Sequence, residues 1–197
     1  MHLLPEFNLP RKTTRIWDLD VPVLVDKKNN VIEAYITNAI EEPCIYNELC
    51  YLIKSADKDT TINLNINTPG GIIDSAFMIA NAIEESKATV VGLLTGTVAS
   101  AGTLIAMACS SLKVSPHVSF MIHNYSGGMA GKGHEMKARQ KFTDDHLNDA
   151  FTSFYSGFLS KDEMEKVIEG TDIWMTTAEV VTRWKERLAY VKGQNNG

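Results

Sequence analysis

The stretch Thr89–Ser110, TVVGLLTGTVASAGTLIAMACS, constrains this chain more than any other. Its short apolar run Val90–Leu94 suits a buried strand better than a helix. Gly96-Thr-Val-Ala-Ser-Ala-Gly102 holds only small residues, and Thr103-Leu-Ile-Ala-Met-Ala-Cys109 reads as a buried helix. The product is a strand, a tight turn and a helix, with Ser100 at the turn. There the first backbone N–H groups of the helix and its dipole favour developing negative charge. Small neighbours allow a substrate backbone to approach. Taken alone, however, Ser100 is first of all a helix cap, because serine is a preferred N-cap. Its assignment as a nucleophile needs support from the rest of the chain.

A second strand–turn–helix unit precedes the first. Thr61-Ile-Asn-Leu-Asn-Ile-Asn67 alternates, so Ile62, Leu64 and Ile66 face one side of a sheet. It ends in Asn67-Thr-Pro-Gly-Gly71, where two glycines free the backbone to expose the N–H groups that follow. Ile72, Ile73, Ala76, Ile79, Ala80 and Ile83 then mark the buried face of a helix. In a parallel sheet both turns fall at the C-terminal strand edge, where ligands commonly bind.

Around these units the pattern is α/β. Pro22–Val25 and Val31–Ile36 are strands split by the turn Asp26-Lys-Lys-Asn-Asn30, and Pro43 opens a helix. Leu112–Val114 and Val118–Ile122 are further strands, the second ending at His123. A glycine-rich loop follows, then a long helix from about Glu135 with Leu147, Ala150, Phe151, Phe154 and Phe158 as an apolar stripe. Ser160-Lys-Asp-Glu163 and Thr176-Thr-Ala-Glu179 are capping boxes; Gly170 stops the first helix, and the second runs towards Arg187. The expected organisation is an N-terminal arm over 1–20, a single domain over 21–192 and a frayed tail over 193–197.

The formal net charge of −5, with no basic stripe, argues against nucleic-acid binding. No apolar run reaches the roughly 18 residues of a membrane helix, and the N-terminus lacks the pattern of a secretory signal. Three cysteines without C-x-x-C spacing suit a reduced, cytoplasmic setting. No H-E-x-x-H or comparable spacing points to a metal.

A serine nucleophile requires a base, an acid to orient that base, and donors for the oxyanion. Of the five histidines only His123 ends an apolar strand beside a glycine-rich loop; alone it reads as a core histidine. Asp172 lies between the Gly170 stop and the second capping box, where its carboxylate can point inward; alone it reads as a turn residue.

Taken together, Asn67-Thr-Pro-Gly-Gly71, Ala99-Ser-Ala-Gly102, Met121-Ile-His-Asn124 with Gly127-Gly128, and Asp172-Ile-Trp-Met-Thr-Thr-Ala-Glu179 resemble the motif series of the ClpP peptidases. They occur in that family's order, over about residues 30–180. The resemblance implies a ClpP/crotonase-like α/β fold of repeated β-β-α turns with a protruding helical handle. It implies Ser100 as nucleophile, His123 as general base and Asp172 as orienting acid, with the backbone N–H groups of Gly71 and Ala101 as the oxyanion hole. It further implies a serine endopeptidase that cuts peptides or unfolded proteins through an acyl-enzyme, inside paired heptameric rings. No cofactor is implied for the chain itself; ATP would be used by a partner AAA+ unfoldase.

The chain departs from the family pattern in five places, one of them the N-terminal arm, which differs from the usual axial loops. Ala101 stands for methionine, Asn124-Tyr-Ser126 for Gln-Pro-Leu, Thr171 for an arginine tied to ring contacts, and Arg187-Leu-Ala-Tyr190 for a glycine-containing turn. With Thr171 unable to form a forked ion pair, ring association is expected to lean on the phenylalanine stripe and to be nearly insensitive to salt. The competing readings are a crotonase-type acyl-CoA hydratase or isomerase, a catalytically silent ring subunit, and a viral capsid-processing variant of the peptidase.

Overall fold

A computed structural model describes residues 21–194. The expected arm over 1–20 and the last three residues of the expected tail lie outside them. The chain divides into two compact units between Ser119 and Phe120.

The first unit is a twisted sheet of β1 (Val23–Asp26), β2 (Val31–Ile36), β3 (Thr61–Thr68), β4 (Thr89–Ala99) and β5 (Ser111–Val114). β1 runs antiparallel to β2, and the β2–β3, β3–β4 and β4–β5 pairs are parallel. The hairpin between β1 and β2 is made by Asp26, whose carboxylate accepts the N–H groups of Lys28 (3.0 Å) and Asn29 (3.2 Å). Asn30 supplies the positive φ of 55° that closes it. Ile62, Leu64 and Ile66 are fully buried, beside Ile32 and Ala34 on β2 and Val90 and Leu94 on β4. Each of these isoleucine, leucine and valine side chains contributes roughly 1.5–3 kcal/mol on leaving water. On the opposite face of β3 the amides of Asn63 and Asn65 donate to the Glu33 carboxylate at 2.5 and 3.1 Å. That pairing explains why asparagine alternates with isoleucine and leucine in this strand.

Three helices belong to this unit: α1 (Asn47–Ser55), entered through a 3-10 turn at Pro43–Tyr46, α2 (Ile73–Glu84) and α3 (Ala101–Ala108). β4 is twice as long as its apolar core suggests, running through Gly96 to Ala99. The register against β3 shifts between Ile66 and Thr68, and Asn67 Oδ1 accepts the Thr97 N–H at 2.9 Å across the irregularity. The Thr and Val residues of Thr95–Ala99 therefore extend the strand, and the turn contracts to Ser100 alone.

The second unit holds β6 (Ser119–Ile122), α4 (Gly133–Tyr155), α5 (Lys161–Ile168), β7 (Ile173–Thr176) and α6 (Thr177–Gln194). β7, which neighbours β6, is too short to show an alternation and is absent from the sequence reading. α6 passes Arg187 and runs through Gly193, the start of the expected tail. Its added turns are held because Arg187 donates to the Ser156 carbonyl at 2.6 Å and the Tyr190 ring lies against Gly157.

No residue of α4 before Leu147 is buried, the pattern of a helical handle. The phenylalanine stripe needs correcting. Phe151 and Phe158 are buried within the chain, Phe158 against Phe120 at 5.7 Å between ring centroids, and Phe154 is half-buried. The exposed aromatic of this helix is Phe142, at 68%. Among the described residues no helix is long and apolar enough to cross a membrane.

The first capping box forms in full, and the second shows the bond between its carboxylate and the N-cap. Ser160 accepts the Glu163 N–H at 3.3 Å, and the Glu163 carboxylate accepts the Ser160 N–H at 2.9 Å. The Glu179 carboxylate takes the Thr176 N–H at 2.7 Å. Glu163 also accepts two bonds from the Arg183 guanidinium, at 2.9 and 2.6 Å. These bonds, with those from Ser160, hold its carboxyl at about 2 against an ordinary 4.5. The unfolded chain therefore binds the extra proton between those values. The stabilisation is complete above about pH 4.5 and drains as pH falls towards 2. Glu163→Gln, which keeps the capping box, is expected to cost about 1 kcal/mol at neutral pH for this partly exposed pair. Urea midpoints of the two chains should converge near the acid end.

Candidate active site

Ser100 occupies the single-residue turn between β4 and α3 with φ 54° and ψ −128°. A serine gains nothing from that conformation; it costs on the order of 1–3 kcal/mol and persists only where surrounding structure imposes it. The Thr103 N–H and hydroxyl both bond the Ser100 carbonyl, at 2.9 and 2.6 Å, and start α3. The Ser100 side chain makes no capping hydrogen bond. The simplest alternative, a serine that caps its helix, is therefore not what this hydroxyl does. A strained strand-to-helix turn is the way a nucleophilic serine is raised above a sheet edge.

The Thr68–Gly71 turn packs directly on it. The Thr68 hydroxyl accepts the Gly70 N–H at 3.1 Å. A side chain on Gly70, whose φ is 97°, would lie 2.6 Å from Ser100 Cβ and 3.1 Å from the Ala101 nitrogen. Gly71 bridges Ile40: the Ile40 N–H donates to Gly70 at 2.9 Å and the Ile72 N–H to Ile40 at 2.8 Å. The Gly71 N–H itself takes no part in that pairing. The Ala101 N–H belongs to the first turn of α3, whose donors lack intrahelical acceptors. Two backbone donors thus flank the serine within the first unit.

His123 follows β6 in the second unit, its side chain 26% exposed. Its Nδ1 lies 3.9 Å from Asp172 Oδ1, longer than a hydrogen bond yet close enough for a carboxylate to orient an imidazolium. The Asp172 carboxylate was expected to point inward; it is 54% exposed. Asp172 reaches His123 because α5 ends sharply. Gly170, at φ 100°, lets its own N–H bond the Val167 carbonyl (3.0 Å) and the Thr171 N–H bond Lys166 (2.8 Å), a Schellman stop. β7 begins at once after Asp172.

Two residues beside the base escaped the sequence reading as functional positions. Asn124 donates its amide to the Ile168 carbonyl at 2.8 Å. The Tyr125 hydroxyl donates to Asp144 and accepts from Gln140 at 2.5 Å on α4. Their only signal in the sequence is a departure from the family pattern directly after His123.

Burial raises the thiols of Cys50 to about 11 and Cys109 to about 12, so neither forms a thiolate near neutrality.

Comparison with known proteins identifies the family. The family model described as Clp protease matches residues 16–183. The ATP-dependent Clp protease proteolytic subunit of Porphyromonas gingivalis is 25% identical over 152 residues, 76% of this chain and 66% of the relative. That of Paracoccus denitrificans is 31% identical over 137 residues, 66% of each. The corresponding subunit 1 of Protochlamydia amoebophila is 30% identical over 156 residues, 75% of this chain and 74% of the relative. The chain thus spans just under two thirds of the length of the first two relatives. A family match across most of the described residues, over a strained serine turn with flanking backbone donors, establishes that this chain belongs to the Clp protease family.

Proposed function

We propose that the chain is a serine endopeptidase in which Ser100, His123 and Asp172 act as a triad. The observation that carries this reading is the strained Ser100 turn beside the Gly71 and Ala101 N–H groups. Ser100 Oγ attacks the scissile carbonyl while His123 takes its proton, and the two N–H groups bind the oxyanion. The same imidazole returns the proton to the leaving amine, and water then hydrolyses the acyl-enzyme. Asp172 keeps the imidazole in its productive tautomer and stabilises its charged form.

The family relation supports the rest of the reading. Subunits assemble into paired heptameric rings that enclose the active sites, so that short or unfolded peptides are cut directly. Folded proteins are cut only when a partner AAA+ unfoldase, which uses ATP, delivers them. Three free cysteines fit a cytoplasmic setting.

A fluorophosphonate probe tests the chemistry. Mass mapping should place a single adduct on Ser100, with peptide hydrolysis lost in proportion. A chain that assembles but neither labels nor hydrolyses is a silent ring subunit, and labelling elsewhere removes Ser100 from its role.

Assembly is tested separately. Phe142 is exposed on α4 and stacked on His146, with ring centroids 5.7 Å apart and planes 9° from parallel. An aromatic surface of this kind gains by being covered. Sedimentation should show one assembled species from about 0.1 to 0.5 M salt, since apolar burial is little screened. Phe142→Ser should shift the distribution towards smaller species. A monomer throughout, or dissociation by modest salt, contradicts the assembled state.

A further inference from the structure

We infer that Asn124 is a positioning residue that holds the base and its acid in register, an inference that rests on the peptidase reading above. Asn124 follows His123 directly, and its amide nitrogen donates to the Ile168 carbonyl at 2.8 Å. That carbonyl lies at the end of α5, where the Schellman bonds to Lys166 and Val167 leave it without an intrahelical donor. Four residues later the chain reaches Asp172, whose carboxylate stands 3.9 Å from His123. Beside the pairing of β6 with β7, the Asn124 amide is thus a direct hydrogen bond between the segment that carries the base and the segment that carries the acid.

Its orientation is determined by a second bond. The Tyr125 N–H donates to Asn124 Oδ1 at 2.8 Å, which leaves only the amide nitrogen to face Ile168. Tyr125 is itself anchored through its hydroxyl to Asp144 and Gln140 on α4. The residue after the base is therefore fixed at both ends of its side chain. The Asp172 carboxylate, half-exposed and 3.9 Å from the imidazole, faces the base in that register. A loss of even 1 Å in such placement is costly to a proton-transfer step.

The test is a double-mutant cycle on the full chain. Asn124→Ala is expected to lower kcat for a short peptide by about 10–100-fold with KM within about twofold, because the effect is on orientation and not on substrate contact. Asn124→Gln, which keeps a donor, should recover part of the loss. In the Asp172→Asn background Asn124→Ala should add less than about twofold, since both changes remove one interaction. A merely structural asparagine gives independent, multiplying losses in that cycle. Such additivity, an unchanged kcat in Asn124→Ala, or a loss confined to KM overturns the inference. Should Asn124→Ala not fold, Asn124→Leu, which is close in size, uncharged and without either hydrogen bond, is read in the same cycle. If the unaltered chain neither labels at Ser100 nor hydrolyses peptide, the peptidase reading fails and takes this inference with it. If it does both and the cycle is additive, the inference alone fails.

Discussion

Ser100→Ala should lower peptide hydrolysis by about 10^5-fold or more and abolish fluorophosphonate labelling, since a triad nucleophile acts as one unit with its base. What remains is the smaller rate supplied by the oxyanion donors and by binding. The same position makes a second, independent claim on stability. At φ 54° and ψ −128° any side chain is strained, and glycine alone is at ease there. Ser100→Gly should therefore be as inactive as Ser100→Ala yet more stable than it by about 1 kcal/mol, after allowance for the greater freedom of glycine in the unfolded chain. Thermal unfolding of the two variants measures the difference. Hydrolysis retained in either variant removes Ser100 from catalysis. Equal stabilities would show that the turn carries no strain.

Gly71→Ala should be damaging in a different way. Gly71 has φ 150°, and a methyl group there would overlap the carbonyl oxygen of Ile40 and lie 2.8 Å from its nitrogen. Both are backbone atoms tied into the bridge that positions this turn, so the methyl group cannot be accommodated by a rotamer change. Relief requires the Gly70–Gly71 turn to move away from Ile40, at a cost of about 3 kcal/mol or more. The movement also displaces the Gly71 N–H from the site beside Ser100. Misplacing one oxyanion donor lowers kcat by about 10^2–10^3-fold. The expected signature is a large fall in kcat in a chain that still reacts, more slowly, with the fluorophosphonate. Activity within a few-fold of the unaltered chain would show that the Gly71 N–H is not an oxyanion donor.

The pattern of elements was legible in the sequence wherever the signal is local. The alternation of Thr61–Asn67 announces β3 because each second side chain enters the same core, and Ile62, Leu64 and Ile66 are buried as that alternation requires. Ser160 and Glu163 announce the start of α5 because a capping box closes within four residues. Ser100 stood out because small residues on both sides of it leave room for a turn and an approaching backbone.

What the tertiary structure decided depends on partners far along the chain. β4 continues to Ala99 because Asn67, thirty residues earlier, bonds the Thr97 N–H. Phe158, expected on the long helix, lies beyond its end at Tyr155 and packs on Phe120, a neighbour that no helical period reveals. Asp172 is half-exposed, not inward, because the stop at Gly170 and the short β7 aim it. Asn124 meets Ile168 across forty-four residues. Periodicity records which face of an element is buried; the groups that meet it are chosen by three-dimensional packing, and a bond between distant segments leaves no spacing in the sequence to be read.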